Sequence, residues 1–173
     1  MSNFEYIDSI GVLTLKSKIK KFNSKDWNNF DFRQKTFEVH KKTKTIPLIY
    51  DKSLENIPIE RKHFKMFSKE LLSIFNILKS KYKKGYLTRA ILVNLIKNSK
   101  IDRHIDDGYA LEKCLRFHIP IITNSKVLFT VDNETIHMKA GEIWKIDNTN
   151  KYHSVENNSK IDRIHLIVDW LYG

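Results

Sequence analysis

The stretch RHIDDG, residues 103–108, places an imidazole and a carboxylate two positions apart, at His104 and Asp106. The flanking residues read as a strand, and side chains two apart on a strand project to one face. The pair can therefore take neighbouring positions on a single metal ion. A third donor must come from elsewhere, and His153, in KYHSVEN, opens a later strand. Two histidines and one carboxylate on one side of an octahedral ion, with the other positions open, are the donor set of non-haem Fe(II) oxygenases. Alternatives stand beside this reading: either histidine could be a satisfied core residue, and Asp106 could cap the turn at Gly108.

Arginine is scarce, which makes its placement informative. The chain has six, and three lie in this region: Arg103, Arg116 and Arg163. Arg163 stands in DRIHLIVDW, ten positions after His153, between apolar residues of a core strand. A buried guanidinium without a partner costs several kcal/mol. A bound dicarboxylate would supply one with bidentate geometry that lysine cannot match. The internal candidates are Asp162, which should face away on a regular strand, and Asp169, which lies far along it. Arg116 and His118 share a strand face in LRFHIPI and could hold a second carboxylate, with Glu112 as the internal alternative.

The elements that must position these groups divide the chain in two. Residues 12–22 can form a short amphipathic helix, and residues 36–50 read as one or two strands. Residues 59–83 give the clearest helix, with Phe64, Phe67, Leu71, Leu72, Phe75, Ile77 and Leu78 near a 3.6 period and the lysines on the other face. His63 is read as a surface residue of that helix. From residue 86 short strands follow one another: YLTRAILVNLI, IDRHID, LRFHIPIIT, VLFTV, TIHM, EIWKI, YHSV and IDRIHLIVDW. Turn signals such as TNSK, DNE, KAG and DNTNK separate them. The pattern predicts a mainly β fold, a helical N-terminal layer (1–85) packed on a jelly-roll core (86–173) within a single domain.

Composition narrows the function classes. At 173 residues and 41% hydrophobic, the chain can bury a core and is not disordered. The apolar runs are too short for a membrane span, and the first residues do not have the layout of a signal peptide. One cysteine, Cys114, allows no internal disulfide and is read as a small core residue. A cytoplasmic setting is expected. The net charge of +11 comes from residues 1–100, which carry 22 basic and 9 acidic residues. Lysine supplies 25 of the 31 basic residues, without clustered arginines, so the excess is read as a solvated face, not a nucleic-acid surface.

Five blocks, in order, carry a family resemblance: RHIDDG (103–108), RFHIPIITN (116–124), GEIWKIDN (141–148), YHSVEN (152–157) and DRIHLIVDW (162–170). Together they resemble the aspartyl/asparaginyl β-hydroxylase family of Fe(II)/2-oxoglutarate oxygenases, which includes bacterial proline hydroxylases. WNNFDFR (27–33) and HKKTKTIPL (40–48) look like that family's N-terminal strands. The resemblance implies a double-stranded β-helix (jelly roll, cupin-like), with iron held by His104, Asp106 and His153. It implies that Arg163 grips the distal carboxylate of 2-oxoglutarate, with Arg116 and His118 near its other end. The implied reaction uses O2 to hydroxylate an unactivated C–H of an amino acid, or of a residue in a peptide or protein, releasing succinate and CO2. Arg103, Asn124, Arg33 and His40 are the residues expected to face that substrate. Asp107 points the opposite way to its neighbour on an ideal strand and has no ligand role. His137, His165 and the aromatics Phe117, Phe129, Trp144 and Trp170 are read as structural. The competing class is a jelly roll that binds a metal or a small acid without turnover, as a sensor.

Overall fold

The computed structural model describes residues 2–172. Ten strands and five α-helices are arranged in two antiparallel sheets with helices against one of them. In chain order they are β1 (Phe4–Ser9), α1 (Leu13–Ile19), α2 (Ser24–Asn28), α3 (Phe32–Thr36), a 3-10 turn (Glu38–His40), β2 (Thr43–Ile49), α4 (Phe64–Tyr82), β3 (Tyr86–Leu95), β4 (Ser99–His104), α5 (Tyr109–Glu112), β5 (Cys114–Ile122), β6 (Val127–Val131), β7 (Glu134–Ile136), β8 (Glu142–Ile146), β9 (His153–Asn157) and β10 (Arg163–Leu171). The larger sheet runs β1-β8-β5-β10-β3-β2 and the smaller β4-β9-β6-β7. The fold is a double-stranded β-helix, as expected.

The central strands of the larger sheet are buried on both faces, and their two faces differ in chemistry. On β10, Ile164, Leu166, Val168 and Trp170 join the cluster formed with Phe67, Leu71, Ile74 and Leu78 of α4. Those four helix residues recur at i, i+4, i+7 and i+11, so they line one stripe. Burying each contributes roughly 1.5–3 kcal/mol, enough to fix the helix on the sheet. The alternate β10 residues Arg163, His165 and Asp169 are buried too, on the face turned from α4. Arg116 and His118 do the same on β5, whose Phe117, Ile119 and Ile121 belong to the helix-side cluster. Between the sheets lie Phe4, Leu95, Ile101, Val127, Phe129, Val131, Ile146 and Val155.

Several expectations are corrected. The first residues form β1, paired with β8, which the sequence reading left without an element. Residues 24–36, expected to include a strand, are two short helices; Asn23 caps the first, accepting from the N–H groups of Lys25 and Asp26. Only Thr43–Ile49 of the 36–50 segment is a strand. The long helix begins at Phe64, not 59, because the preceding chain is bound to the end of β2: Glu60 bridges Ile49, and the Arg61 N–H donates to Leu48 O at 2.9 Å. His63 is therefore its N-cap, packed edge-on against Phe22 at 4.9 Å. Among the described residues no helix is long and apolar enough to cross a membrane.

Candidate active site

Antiparallel pairing of β4 with β9 sets His104 directly opposite His153, and the imidazole centroids lie 4.2 Å apart. Asp106 joins them by a different route from the one its spacing predicted. Strand β4 ends at His104, so Asp106 shares no strand face with it. The chain turns, and the backbone N–H of Asp106 donates to Asn148 O at 2.9 Å. That bond brings Asp106 Oδ1 to 3.4 Å from His104 Nε2 and 3.8 Å from His153 Nε2. One donor atom from each residue lies within 4.8 Å of the others, the geometry of a group that could hold a metal ion. His104 Nδ1 is 2.7 Å from the carbonyl of Asp102. A carbonyl only accepts, so the ring proton sits on Nδ1 and the Nε2 lone pair is left free, as a metal ligand requires.

The larger sheet supplies a row of charges beside this cluster. Register places Arg89 of β3 and Arg116 of β5 on either side of Asp169 of β10. Arg116 grips Asp169 with both edges of its fork, Nε to Oδ1 at 2.8 Å and Nη2 to Oδ2 at 2.9 Å. Its Nη1 donates to Asp106 Oδ2. Arg89 Nη1 stands 3.1 Å from Asp169 Oδ2. Burial alone would raise the pKa of Asp106, but Arg116, with the nearby His153 and the Asn148 amide, holds it well below the usual carboxylate range. Asp106 is therefore ionised. Arg116 has its partners in Asp169 and Asp106, not in Glu112.

Arg163 is only 1% exposed, and no carboxylate pairs with it among the described residues. Its Nη2 meets His165 Nδ1 at 2.6 Å, while its Nε and the Nδ1 of His118 have no partner. Burial lowers the Arg163 pKa to about 9, and burial with Arg163 nearby pushes His118 and His165 well below the ordinary imidazole value. Both rings are thus neutral. Asp169, the internal partner open to Arg163 in the sequence, is taken by the other two arginines.

Two of the four residues expected to face the substrate are at the site. Arg33 and His40 come together from α3 and the 3-10 turn, Nη2 to Nε2 at 2.8 Å. The His40 ring lies 5.8 Å from that of His104. Burial, with Arg116 nearby, brings Arg33 down to about 10; burial and Arg33 bring His40 to about 2. Arg103 is exposed and stacks 4.2 Å over Tyr152, because the residue beside His104 on a strand projects to the opposite face. Asn124 caps the β5–β6 turn, accepting from the N–H of Lys126.

A cavity of about 560 Å³ opens beside the cluster, walled by Arg33, His40, Arg89, His104, Asp106 and Arg116. Its exposed rim includes Glu38, Glu55, Asp107 and Tyr109. A second pocket of about 30 Å³ shares that wall and continues to His118, His153 and Arg163. The cluster thus lies between a large chamber and a small recess that reaches a buried cation. Asn148 and Arg89 are residues of the cluster's surroundings with no role in the sequence pattern, and Asp169 pairs with Arg116 and Arg89 instead of Arg163. Asn148 and Asp169 stand inside blocks that carry the resemblance, GEIWKIDN and DRIHLIVDW.

Residues 11–172 match the family model for aspartyl/asparaginyl β-hydroxylase. One relative is the L-proline cis-4-hydroxylase of Rhizobium meliloti (strain 1021), 34% identical over 79 residues. Those residues are 46% of this chain and span only 28% of that protein. An oxidoreductase of the 2OG-Fe(II) oxygenase family from Burkholderia pseudomallei superposes with a TM-score of 0.61 at 12% identity, covering 76% of this chain and 68% of its own. A non-heme α-ketoglutarate-dependent epimerase of nogalamycin biosynthesis gives 0.61 at 8% identity, covering 98% and 78%. At such identities the two structures speak to the fold. The match to the family model covers nearly the whole of the described sequence, and this chain belongs to the aspartyl/asparaginyl β-hydroxylase family.

Proposed function

We propose that this chain is an Fe(II)- and 2-oxoglutarate-dependent oxygenase that hydroxylates an unactivated C–H of an amino acid, or of a residue in a peptide or protein, with release of succinate and CO2. The observation that carries the reading is the adjacency of two features. A His–Asp–His cluster of metal-binding geometry lies beside a buried arginine that has no carboxylate partner among the described residues.

The donor set fits iron. Two imidazoles and one carboxylate suit a divalent first-row ion and leave further positions open. When bound, iron with 2-oxoglutarate and O2 supplies the oxidising power for C–H hydroxylation. His104, Asp106 and His153 would hold the ion, with Asp102 O fixing the tautomer of His104. Arg163 would pair with the distal carboxylate of 2-oxoglutarate through the guanidinium N–H groups that His165 leaves free. Neutral His118 sits on the same recess and can donate to an acid oxygen without adding charge. Arg116 reaches toward the same cluster, with part of its fork already committed to Asp169. The recess, of about 30 Å³, adjoins the larger chamber along their shared wall. Arg33 and His40 face the larger chamber, where the substrate to be hydroxylated would lie.

The test is succinate formation. The chain, loaded anaerobically with Fe(II) and 2-oxoglutarate, is exposed to O2 with a panel of free amino acids and peptides. Succinate release by the wild type, and loss of both succinate and bound iron in His104→Ala, are expected. A wild type that binds iron and 2-oxoglutarate but never forms succinate supports the sensor class. Unchanged iron content in His104→Ala overturns the assignment of the cluster.

A further inference from the structure

The two oxygens of Asp106 do different things. Oδ1 faces the imidazoles of His104 and His153. Oδ2 is turned away from them and accepts two hydrogen bonds, one from Arg116 Nη1 and one from Asn148 Nδ2 at 2.8 Å. Asn148 holds Asp106 twice, since its carbonyl also accepts the Asp106 backbone N–H at 2.9 Å. Arg116 is held in turn by the two-pronged contact with Asp169, itself 1% exposed and flanked by Arg89.

We propose that Asn148 and Asp169, the latter through Arg116, are positioning residues that restrict Asp106 to one-oxygen coordination and so set how many metal positions stay open. The inference rests on reading His104, Asp106 and His153 as metal ligands. A carboxylate can bind a divalent ion through one oxygen or both. With a guanidinium and an amide on Oδ2, only Oδ1 is available. Were Oδ2 free to turn inward, Asp106 would fill a second position on the ion. One position fewer would then remain for a chelating acid and O2.

Asp169 touches neither the ion's ligands nor the chamber. Its part is to fix the fork of Arg116 and to balance its charge. Without that balance, Arg116 would be left with Asp106 as its only carboxylate partner, in direct competition with a metal for the same group. The cross-strand row makes the arrangement stiff, because Arg89, Asp169 and Arg116 are registered neighbours on three hydrogen-bonded strands.

The experiment uses Mn(II) as the probe, in the full chain and without turnover. Mn(II) affinity is titrated by electron paramagnetic resonance, and the number of water-filled positions is read from water-proton relaxation. Asp169→Asn should weaken Mn(II) binding by roughly 10–100-fold, the usual effect of losing a partner behind a metal ligand. Asp169→Glu, which keeps the charge, should recover part of that loss. Asn148→Ala should retain Mn(II) but lose relaxivity, as Oδ2 takes a position that water held. It also keeps the idea testable should Asp169→Asn fail to fold. Wild-type affinity and wild-type relaxivity in Asp169→Asn and Asn148→Ala would overturn the inference while leaving the metal assignment intact. A wild type that binds no Mn(II), or a His104→Ala that binds it as well as wild type, would overturn both.

Discussion

Arg163 meets His165 across 2.6 Å, Nη2 to Nδ1, and finds no carboxylate within the described fold. Residues two apart on β10 thus form a buried cation supported by a neutral ring, a costly arrangement for the chain alone. Replacing Arg163 with methionine should therefore stabilise the metal-free, ligand-free protein, by about 1–4 kcal/mol where the side chain packs well. The unpaired Nδ1 of His165 will offset part of that gain. The same substitution should abolish stabilisation by 2-oxoglutarate, which for a site saturated a hundredfold over Kd amounts to about 2.7 kcal/mol. Thermal melts with and without 2-oxoglutarate, in the presence of Mn(II), measure both effects. A variant that melts lower than wild type yet still responds fully to the acid would contradict the proposed role.

Acid should unfold this protein over a window set by its buried histidines. His40, His118 and His165 ionise near pH 6.5 in an unfolded chain, and burial lowers each of them in the fold, His40 to about 2. Below pH 6.5 the unfolded state takes up protons that the native state refuses, so stability falls as pH falls. Each histidine can contribute a slope of up to about 1.4 kcal/mol per pH unit. Asp106 and Asp169, both held below the ordinary carboxylate value, add a further loss once the pH drops past about 4. Urea unfolding of the metal-free chain at pH 7.5, 6 and 5 should show the midpoint dropping at each step. An unchanged midpoint from 7.5 to 5 would sink this account.

What the sequence discloses and what it hides follow from the range of the interactions. Strands from residue 86 onward are readable because side-chain alternation and turn residues are local. The pairing of His104 with His153 is also foreseeable, since both stand at strand ends within recognisable blocks. Asp106 joins the cluster for a different reason than its spacing: the strand stops at His104, and a bond to Asn148, 42 positions away, brings the carboxylate in. The partner of Arg116 depends on β5 lying beside β10 in one register, which no local pattern encodes. A one-residue slip would turn Asp169 to the helix side. Residues 24–28 are helical despite the strand-like look of WNNFDFR because Asn23 caps the N–H groups of Lys25 and Asp26.

Asn157 is the residue whose loss should most disturb the framework without touching the candidate ligands. It has no exposed surface. Its Nδ2 reaches the carbonyls of Leu95, Ile96 and Ile161 at 3.3, 3.2 and 2.9 Å, and its Oδ1 accepts from Ser159 Oγ at 2.7 Å. One amide thereby joins the end of β3 to the turn that launches β10 at Arg163. Asn157→Ala leaves buried acceptors unsatisfied, which costs roughly 1–3 kcal/mol. Asn157→Asp should cost more, because a carboxylate would face three carbonyl oxygens. Denaturant midpoints of the two variants give the order directly, and an aspartate variant as stable as the alanine one would refute it.

The junction of α4 with β3 has one position that only glycine fits. Gly85 has φ +118, and a Cβ there would come within 2.3 Å of Trp170 Nε1 and 2.4 Å of Leu171 O. Neither can retreat easily: Trp170 is fully buried and its Nε1 donates to Lys84 O at 3.1 Å, while Leu171 pairs with Tyr86 and Cys114. Gly108 offers the comparison, with φ +99 and nothing within 4 Å of its notional Cβ. Alanine at either position bears the backbone strain, more than about 1 kcal/mol, but only at Gly85 does it also displace the tryptophan. Gly85→Ala should therefore lower the melting temperature further than Gly108→Ala and shift tryptophan emission to the red. Equal losses in the two variants, with emission unchanged, would mean that strain alone governs the junction and that the indole accommodates the methyl group.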